Sequence, residues 1–300
     1  MTPNTTHLFS VATLGLLTNA TVWGLSWIGF KSLNAQGIHP LWFTALIFSV
    51  ACIIVHLYQP KVTMAIFRHR YLRWIVLAAG LTNVCFNTAI TIGDVLHVTL
   101  LFYLMPVWAA LLAHTLLGEH INRWQILRLI LGLSGACLIL WQPKMGLPIP
   151  TKLADWLGII GGVCFAANNI ALRKASDATG ANDLMRLQAM FIGGAVCSLL
   201  LAIGLASINQ ISWPDLIPTY SLWGSSVEIM MWVTLFLIAN YGVQYGAVRF
   251  PANVTALIML SEIFIAGASS AYWGVSHLRW QEWVGGTLIV LSPFIFSKKS

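Results

Sequence analysis

Residues 99–125 read TLLFYLMPVWAALLAHTLLGEHINRWQ, and residues 255–281 read TALIMLSEIFIAGASSAYWGVSHLRWQ. The two stretches align without a gap, eight of their 27 positions are identical, and both close on Arg-Trp-Gln, at 123–125 and 279–281. Each contains an apolar run long enough to cross a hydrocarbon core about 30 Å thick as a helix. A second match lies earlier in each half, where Trp23-Gly-Leu-Ser-Trp-Ile-Gly-Phe-Lys31 pairs with Phe165-Ala-Ala-Asn-Asn-Ile-Ala-Leu-Arg173. Its offset is 142 residues against 156 for the later match, and the difference of 14 fits a longer connection near 208–225, which holds Pro214 and Pro218. The chain therefore reads as a duplication.

Working outward, apolar runs recur at 8–33, 38–58, 74–92, 96–117, 124–141, 153–173, 184–207, 226–246, 252–273 and 280–296. They are continuous, whereas a membrane barrel shows alternating segments of about ten residues. Five spans per copy is an odd number, so the second copy enters the bilayer inverted. The expected fold is an all-α membrane protein with ten transmembrane helices in two inverted five-helix repeats, 1–147 and 148–300. Inverted repeats are characteristic of transporters, whose binding site lies where the copies meet.

Composition agrees. The chain is 58% hydrophobic and 8% charged, with mean hydropathy +0.79, whereas soluble domains carry about 25% charged residues. The formal charge of +7 does not imply nucleic acid, because the cations cluster between the apolar runs, as in a protein oriented by its positive charges. With the N-terminus in the cytoplasm, 12 of the 16 Lys and Arg fall inside, among them Lys61, Arg68, Arg70, Arg73, Arg123, Arg128, Arg173, Lys174, Arg186, Arg249, Lys298 and Lys299. Only Lys31, Lys144, Lys152 and Arg279 fall outside. A cell inner-membrane protein with both termini cytoplasmic is expected. MTPNTTHLFS lacks a basic n-region, so no cleavable leader is expected. Tryptophans 74, 124, 141, 156, 213, 280 and 283 mark span ends, where an amphipathic ring suits the headgroup layer. The five cysteines lie inside apolar runs with no C-x-x-C pair and read as packing residues.

Polar groups at membrane depth are costly, so each is a candidate. Glu262 sits mid-span in 252–273; its carboxyl group must either keep a proton or hold a cation there. It is read as a proton carrier, a ligand for a solute ammonium, or a structural hydrogen-bond donor. Asn83/Asn87, Asn240/Gln244 and Tyr241/Tyr245 are i, i+4 pairs, each on one helical face. Amides and phenols donate and accept, which suits a neutral or zwitterionic solute, although such pairs also bind helices to one another. Asn168 and Asn169 lie mid-span, and as neighbours only one of them is expected to face a cavity. Trp23 and Trp27, also i, i+4, are read as an aromatic wall. Tyr103 completes the substrate-binding set, and Pro106 should kink its span. No Walker A or G-x-S-x-G pattern and no H-E-x-x-H occurs, so neither an ATP-driven pump, a hydrolase nor a metal or other cofactor is expected.

The pattern Trp23-Gly…Lys31, then Tyr103-Leu-Met-Pro106…Leu117-Gly118-Glu119 and a fifth helix bearing Gly132 and Gly135, resembles the EamA-type drug/metabolite transporters. The resemblance implies ten helices in two inverted halves and, within that group, an exporter of amino acids or related metabolites, including aromatic ones. One position departs from the pattern: the second copy carries Glu262 where the first has Pro106. The resulting expectation is a secondary transporter of a small molecule, working by alternating access in the lipid bilayer. A broad drug exporter or an importer of the same fold stands as runner-up, and an intramembrane enzyme as the reading from another class.

Overall fold

The computed structural model describes residues 5–93, 95–141, 150–214, 222–274 and 280–292. Among them every regular element is a helix: α1 (Thr5–Ala35), α2 (Pro40–Tyr58), α3 (Pro60–Arg68), α4 (Arg70–Ile92), α5 (Val95–Phe102), α6 (Met105–Leu117), α7 (Arg123–Leu140), α8 (Leu153–Thr179), α9 (Asp183–Ser207), α10 (Leu222–Ala247), α11 (Ala252–Met259), α12 (Ser261–Tyr272) and α13 (Trp280–Leu291). Eight segments are long and apolar enough to cross a membrane, with α5–α6 and α11–α12 each counting as one. The protein is a multi-pass helical membrane protein. Two of the ten expected spans, 74–92 and 280–296, are not among the eight. The first corresponds to α4, which opens on Arg70 and Arg73 and carries Thr82, Asn83, Asn87 and Thr88, so its apolar character is diluted. The second corresponds to α13, of which 12 residues are described, and positions 293–296 lie outside the described residues. Lys144, Arg279 and the Lys298-Lys299 tail do so as well.

Local chemistry sets the helix ends. Asn122 begins α7 with a capping box: its Oδ1 accepts from Trp124 N and Gln125 N at 3.0 Å, and Gln125 Oε1 accepts from Asn122 N at 2.9 Å. The Asp155 carboxylate accepts from Thr151 N and Lys152 N at 2.8 Å at the start of α8, and Asn182 accepts from Met185 N at 2.9 Å at the start of α9.

Two of the spanning segments, Val98–Leu117 and Ala252–Tyr272, are broken within their length. The first breaks at Tyr103–Leu104, just before Pro106. The second breaks at Leu260, just before Glu262. Leu104 and Leu260 are equivalent positions in the aligned stretches, 156 residues apart. The glycines that end these helices, Gly118 at φ 70° and Gly274 at φ 69°, are equivalent too. Both hold the left-handed conformation in which a Cβ would be strained. The kink in 96–117 was expected from Pro106. The break in 252–273 was not, because no proline marks it.

Close approach holds the bundle together. A Cβ on Gly15 would lie 2.8 Å from the Gly242 carbonyl, and one on Gly135 would lie 2.6 Å from that of Gly285. Such pairs bring α1 against α10 and α7 against α13, the small-residue packing expected where lipid, not water, is the competing solvent. Large apolar side chains such as Leu14, Leu57, Leu200 and Ile238 are exposed on the outside of the bundle. Two arginines near helix ends are paired with carboxylates: Arg173 on α8 bonds to Glu119 beyond α6. The fully buried Arg186 on α9 donates to Asp183, to the Ala181 carbonyl and, at 3.1 Å, to the Gln244 carbonyl of α10.

Candidate functional site

A cavity of about 110 Å³ lies at the level of the two helix breaks. By this measure one water needs roughly 10–15 Å³, so the space suits several waters or one small organic molecule. Its wall is built from α1 (Asn19, Trp23), α2 (Phe48), α4 (Thr82, Asn83, Phe86, Asn87), α5–α6 (Phe102, Tyr103, Met105), α8 (Phe165, Asn168, Asn169), α9 (Met190), α10 (Asn240, Val243) and α11–α12 (Met259, Glu262).

One side is aromatic. Phe86 and Phe102 lie 4.6 Å apart between ring centroids, and Trp23 meets Phe236 edge-on at 4.8 Å. These rings are fixed by packing on one another, so a planar solute meets a preformed wall. The other side is polar. The Glu262 carboxyl group, in the first turn of α12, shares a side-chain hydrogen bond with the Tyr103 phenol at the opposite break. The half-helix that starts after Leu260 thus presents its only acid to the cavity.

The amides divide into two groups. Asn19 Nδ2 donates to Asn240 Oδ1 at 3.3 Å, Asn240 Nδ2 donates to the Phe236 carbonyl at 2.8 Å, and Asn83 Nδ2 donates to the Ala79 carbonyl at 2.9 Å. Asn87 Nδ2 reaches Thr44 Oγ1 at 3.5 Å. These are held by protein groups. Asn168 and Asn169 differ: Asn168 Oδ1 and both polar atoms of Asn169 are buried with no hydrogen-bond partner, and Asn169 is only 1% exposed. An unpartnered buried amide costs on the order of 1–3 kcal/mol. A site that bears this cost can recover it when a solute or water supplies the partner. Among the described residues no Lys, Arg or His lines the cavity.

Of the eleven candidates from sequence, Trp23, Asn83, Asn87, Tyr103, Asn168, Asn169, Asn240 and Glu262 come together here. Three do not. Trp27 turns to α12, where its Nε1 donates to Ser269 Oγ at 3.0 Å. Tyr241 is 43% exposed on the outer surface of α10, because the residue after Asn240 is rotated by about 100°. Gln244 is buried one turn beyond Asn240, with Nε2 3.5 Å from Met190 Sδ. The expectation that only one of Asn168 and Asn169 faces a cavity also fails, since both line it. Asn19 was missed although it stands four residues before Trp23, on the same face; that spacing was the available signal. Phe165 was missed too, although it aligns with Trp23 in the repeat, whereas Phe48, Phe86 and Phe102 carried no signal that separated them from ordinary core.

This is the architecture of a membrane protein with a solute-sized, mostly apolar cavity that carries a few polar groups at the level of two helix breaks. Residues 10–141 match the EamA-like transporter family, so over that stretch the chain is similar to the EamA-type drug/metabolite transporters. It is 19% identical over 165 residues to a protein described as the uncharacterized transporter YoaV of Bacillus subtilis (strain 168), an alignment covering 52% of this chain and 55% of that relative. The match thus spans about half the length of the curated relative. A solved crystal structure superposes on 95% of this chain and 95% of its own, with TM-score 0.73 and 18% identity, which speaks to the fold alone. Members of this family are transporters, not enzymes.

Proposed function

We propose that the protein is a secondary transporter that exports a small amino-acid-like or aromatic metabolite across the inner membrane by alternating access. The single observation that carries this reading is the cavity itself: one carboxyl group, amides without partners and a preformed aromatic wall, at the depth where two helices break. The aromatic side suits a planar ring, and Glu262 suits an ammonium group or a transported proton. The amides of Asn168 and Asn169 suit a neutral or hydrogen-bonding group, including a carboxylate that meets no cation here. Buried polar backbone and side chains of this kind are tolerated at membrane depth where they line a cavity.

The same reading takes the chain as two inverted five-helix halves, 1–147 and 148–300, with α4 and α13 as the remaining two of ten spans. Helix packing supports it. α4 packs on α8 as α10 packs on α1, and α5–α6 pack on α8 as α11–α12 pack on α1. α2 meets its counterpart α9, and α7 meets α13. The 12-to-4 split of Lys and Arg supports an inner-membrane orientation with both termini cytoplasmic.

Counterflow in proteoliposomes tests the function. Vesicles preloaded with unlabelled tryptophan, phenylalanine, tyrosine or the corresponding amines should accumulate the labelled solute transiently and saturably, above protein-free vesicles. An absence of saturable exchange for every member of this class would refute the proposed substrate. Conversion of the solute during the assay would indicate an enzyme instead.

A further inference from the structure

Between α2 and α4, in the interval between the apolar runs 38–58 and 74–92, the chain forms the nine-residue helix α3. It begins at Pro60, after a turn at Gln59 (φ −148°, ψ 83°), and ends at His69 (φ −111°, ψ 115°), so it continues neither neighbouring helix. One face is fixed to the bundle. Val62, Ala65 and Ile66 are buried, Gln188 Nε2 of α9 donates to Thr63 Oγ1 at 2.9 Å, and Arg73 Nη1 donates to the Phe67 carbonyl at 2.6 Å. The opposite face exposes Lys61, Met64, Phe67 and Arg68, with Met64 63% and Phe67 76% open.

We propose that α3 lies in the headgroup layer and binds the phosphates of anionic phospholipids. The exposed face sets two cations beside two large apolar side chains. Water alone would leave Phe67 and Met64 unsatisfied, and hydrocarbon alone would strand Lys61 and Arg68. The boundary between the two accommodates both, with the apolar side chains reaching into the acyl region and the cations at phosphate depth. Neighbouring residues fix that depth: Tyr58 and Trp74, which flank α3, are exposed, as expected of an interfacial belt. On the packed helix α9 the first-turn Asp183 is paired with Arg186. Arg70 and Arg73 adjoin the patch, and the first 93 residues contain no Asp or Glu. Charge complementarity therefore selects an anionic lipid over a zwitterionic one. Because α3 packs on α4 and α9, which carry Asn83, Asn87 and Met190 of the cavity, the bound lipid also braces the wall of the solute site.

Native mass spectrometry of the full chain, released from detergent with equal amounts of phosphatidylglycerol and phosphatidylcholine, reads the inference directly. The wild type should retain phosphatidylglycerol preferentially, and added salt should shrink that preference. The double variant Lys61→Gln/Arg68→Gln should lower phosphatidylglycerol retention by roughly tenfold or more while phosphatidylcholine retention stays unchanged. Phe67→Gln should lower both. A second measurement needs no variant: headgroup-photoactivatable phosphatidylglycerol should crosslink the wild type within residues 57–74. Equal retention of the two lipids by the wild type, full retention by the double variant, or crosslinks that avoid 57–74 would each overturn the proposal.

Discussion

The two aligned stretches, 99–125 and 255–281, share a backbone plan and differ in what they do with it. In α5–α6 and in α11–α12 the helix breaks at equivalent leucines, Leu104 and Leu260, and ends on equivalent left-handed glycines, Gly118 and Gly274. In the first copy Pro106 removes a backbone donor two residues after the break. The second copy has no proline there; Ser261 Oγ instead donates to the Ile258 carbonyl at 2.7 Å, and Leu260 N donates to both Ala256 and Leu257 carbonyls at 3.2 Å. The position freed from making the break holds Glu262. A similar divergence appears one layer away. Trp23 and Phe165, equivalent in the repeat, both line the cavity. Trp27 is tied to Ser269 outside it, whereas its equivalent Asn169 sits inside without a partner. Geometry is shared between the copies, while the chemistry is concentrated where they differ.

Substitutions can sharpen or break this contrast. Among the substitutions read by binding and stability, the largest effect is expected at Asn169. Asn169→Leu removes a buried amide that has no partner, so the melting temperature should rise. Solute binding should fall about tenfold or more, since a hydrogen bond to a solute replaces an otherwise unmet group. A fall in both would make Asn169 a structural residue. Next comes Trp23→Ala, which should weaken binding several-fold, on the order of 1 kcal/mol for one lost aromatic face, as read by isothermal titration. Trp27→Phe should affect stability and not binding. Losing the bond to Ser269 should lower stability by about 1 kcal/mol in thermal unfolding and leave affinity alone. The smallest effect is expected from Pro106→Ala, because Leu260 shows that this break forms without proline; counterflow should stay within about twofold of wild type.

Orientation offers a separate test of the same contrast. If the copies are inverted, cysteines placed at His120 and at Tyr272, which follow and close the equivalent helices α6 and α12, face opposite sides of the membrane. An impermeant thiol reagent added to intact cells should label the Tyr272→Cys variant above the wild-type background and spare the His120→Cys variant. Labelling of both from one side would end the inverted-repeat reading.

Much of the architecture was legible in sequence because lipid imposes a length rule on every span, and because the 156-residue offset aligned the two breaks before either was seen. What remained illegible has local causes. Leu260 carries no breaker, so only its alignment with Leu104 hinted at the second break. α3 is too short and too polar on one side for an apolar-run reading. Within the site, eight candidates met in one cavity because buried polar groups at mid-span have few other places to go. Trp27, Tyr241 and Gln244 did not join them, because helix rotation and depth decide which side of a polar face meets the cavity. Spacing along the chain does not encode the position of the neighbouring helix.

We propose that the carboxyl group following the second break drives transport. Glu262→Gln keeps the shape and the hydrogen bond to Tyr103 but removes the ionisable group. It should be compared with wild type in proteoliposomes for net uphill flux under a proton gradient and for exchange between equal solute pools. The expected result is that net flux and its dependence on the gradient collapse in the variant, while the protein still inserts and unfolds cooperatively on heating. Retained exchange would assign Glu262 to the proton, and lost exchange to the solute's ammonium group. Wild-type net flux with wild-type gradient dependence in the Gln variant would contradict the claim and leave Glu262 as a structural hydrogen-bonding group.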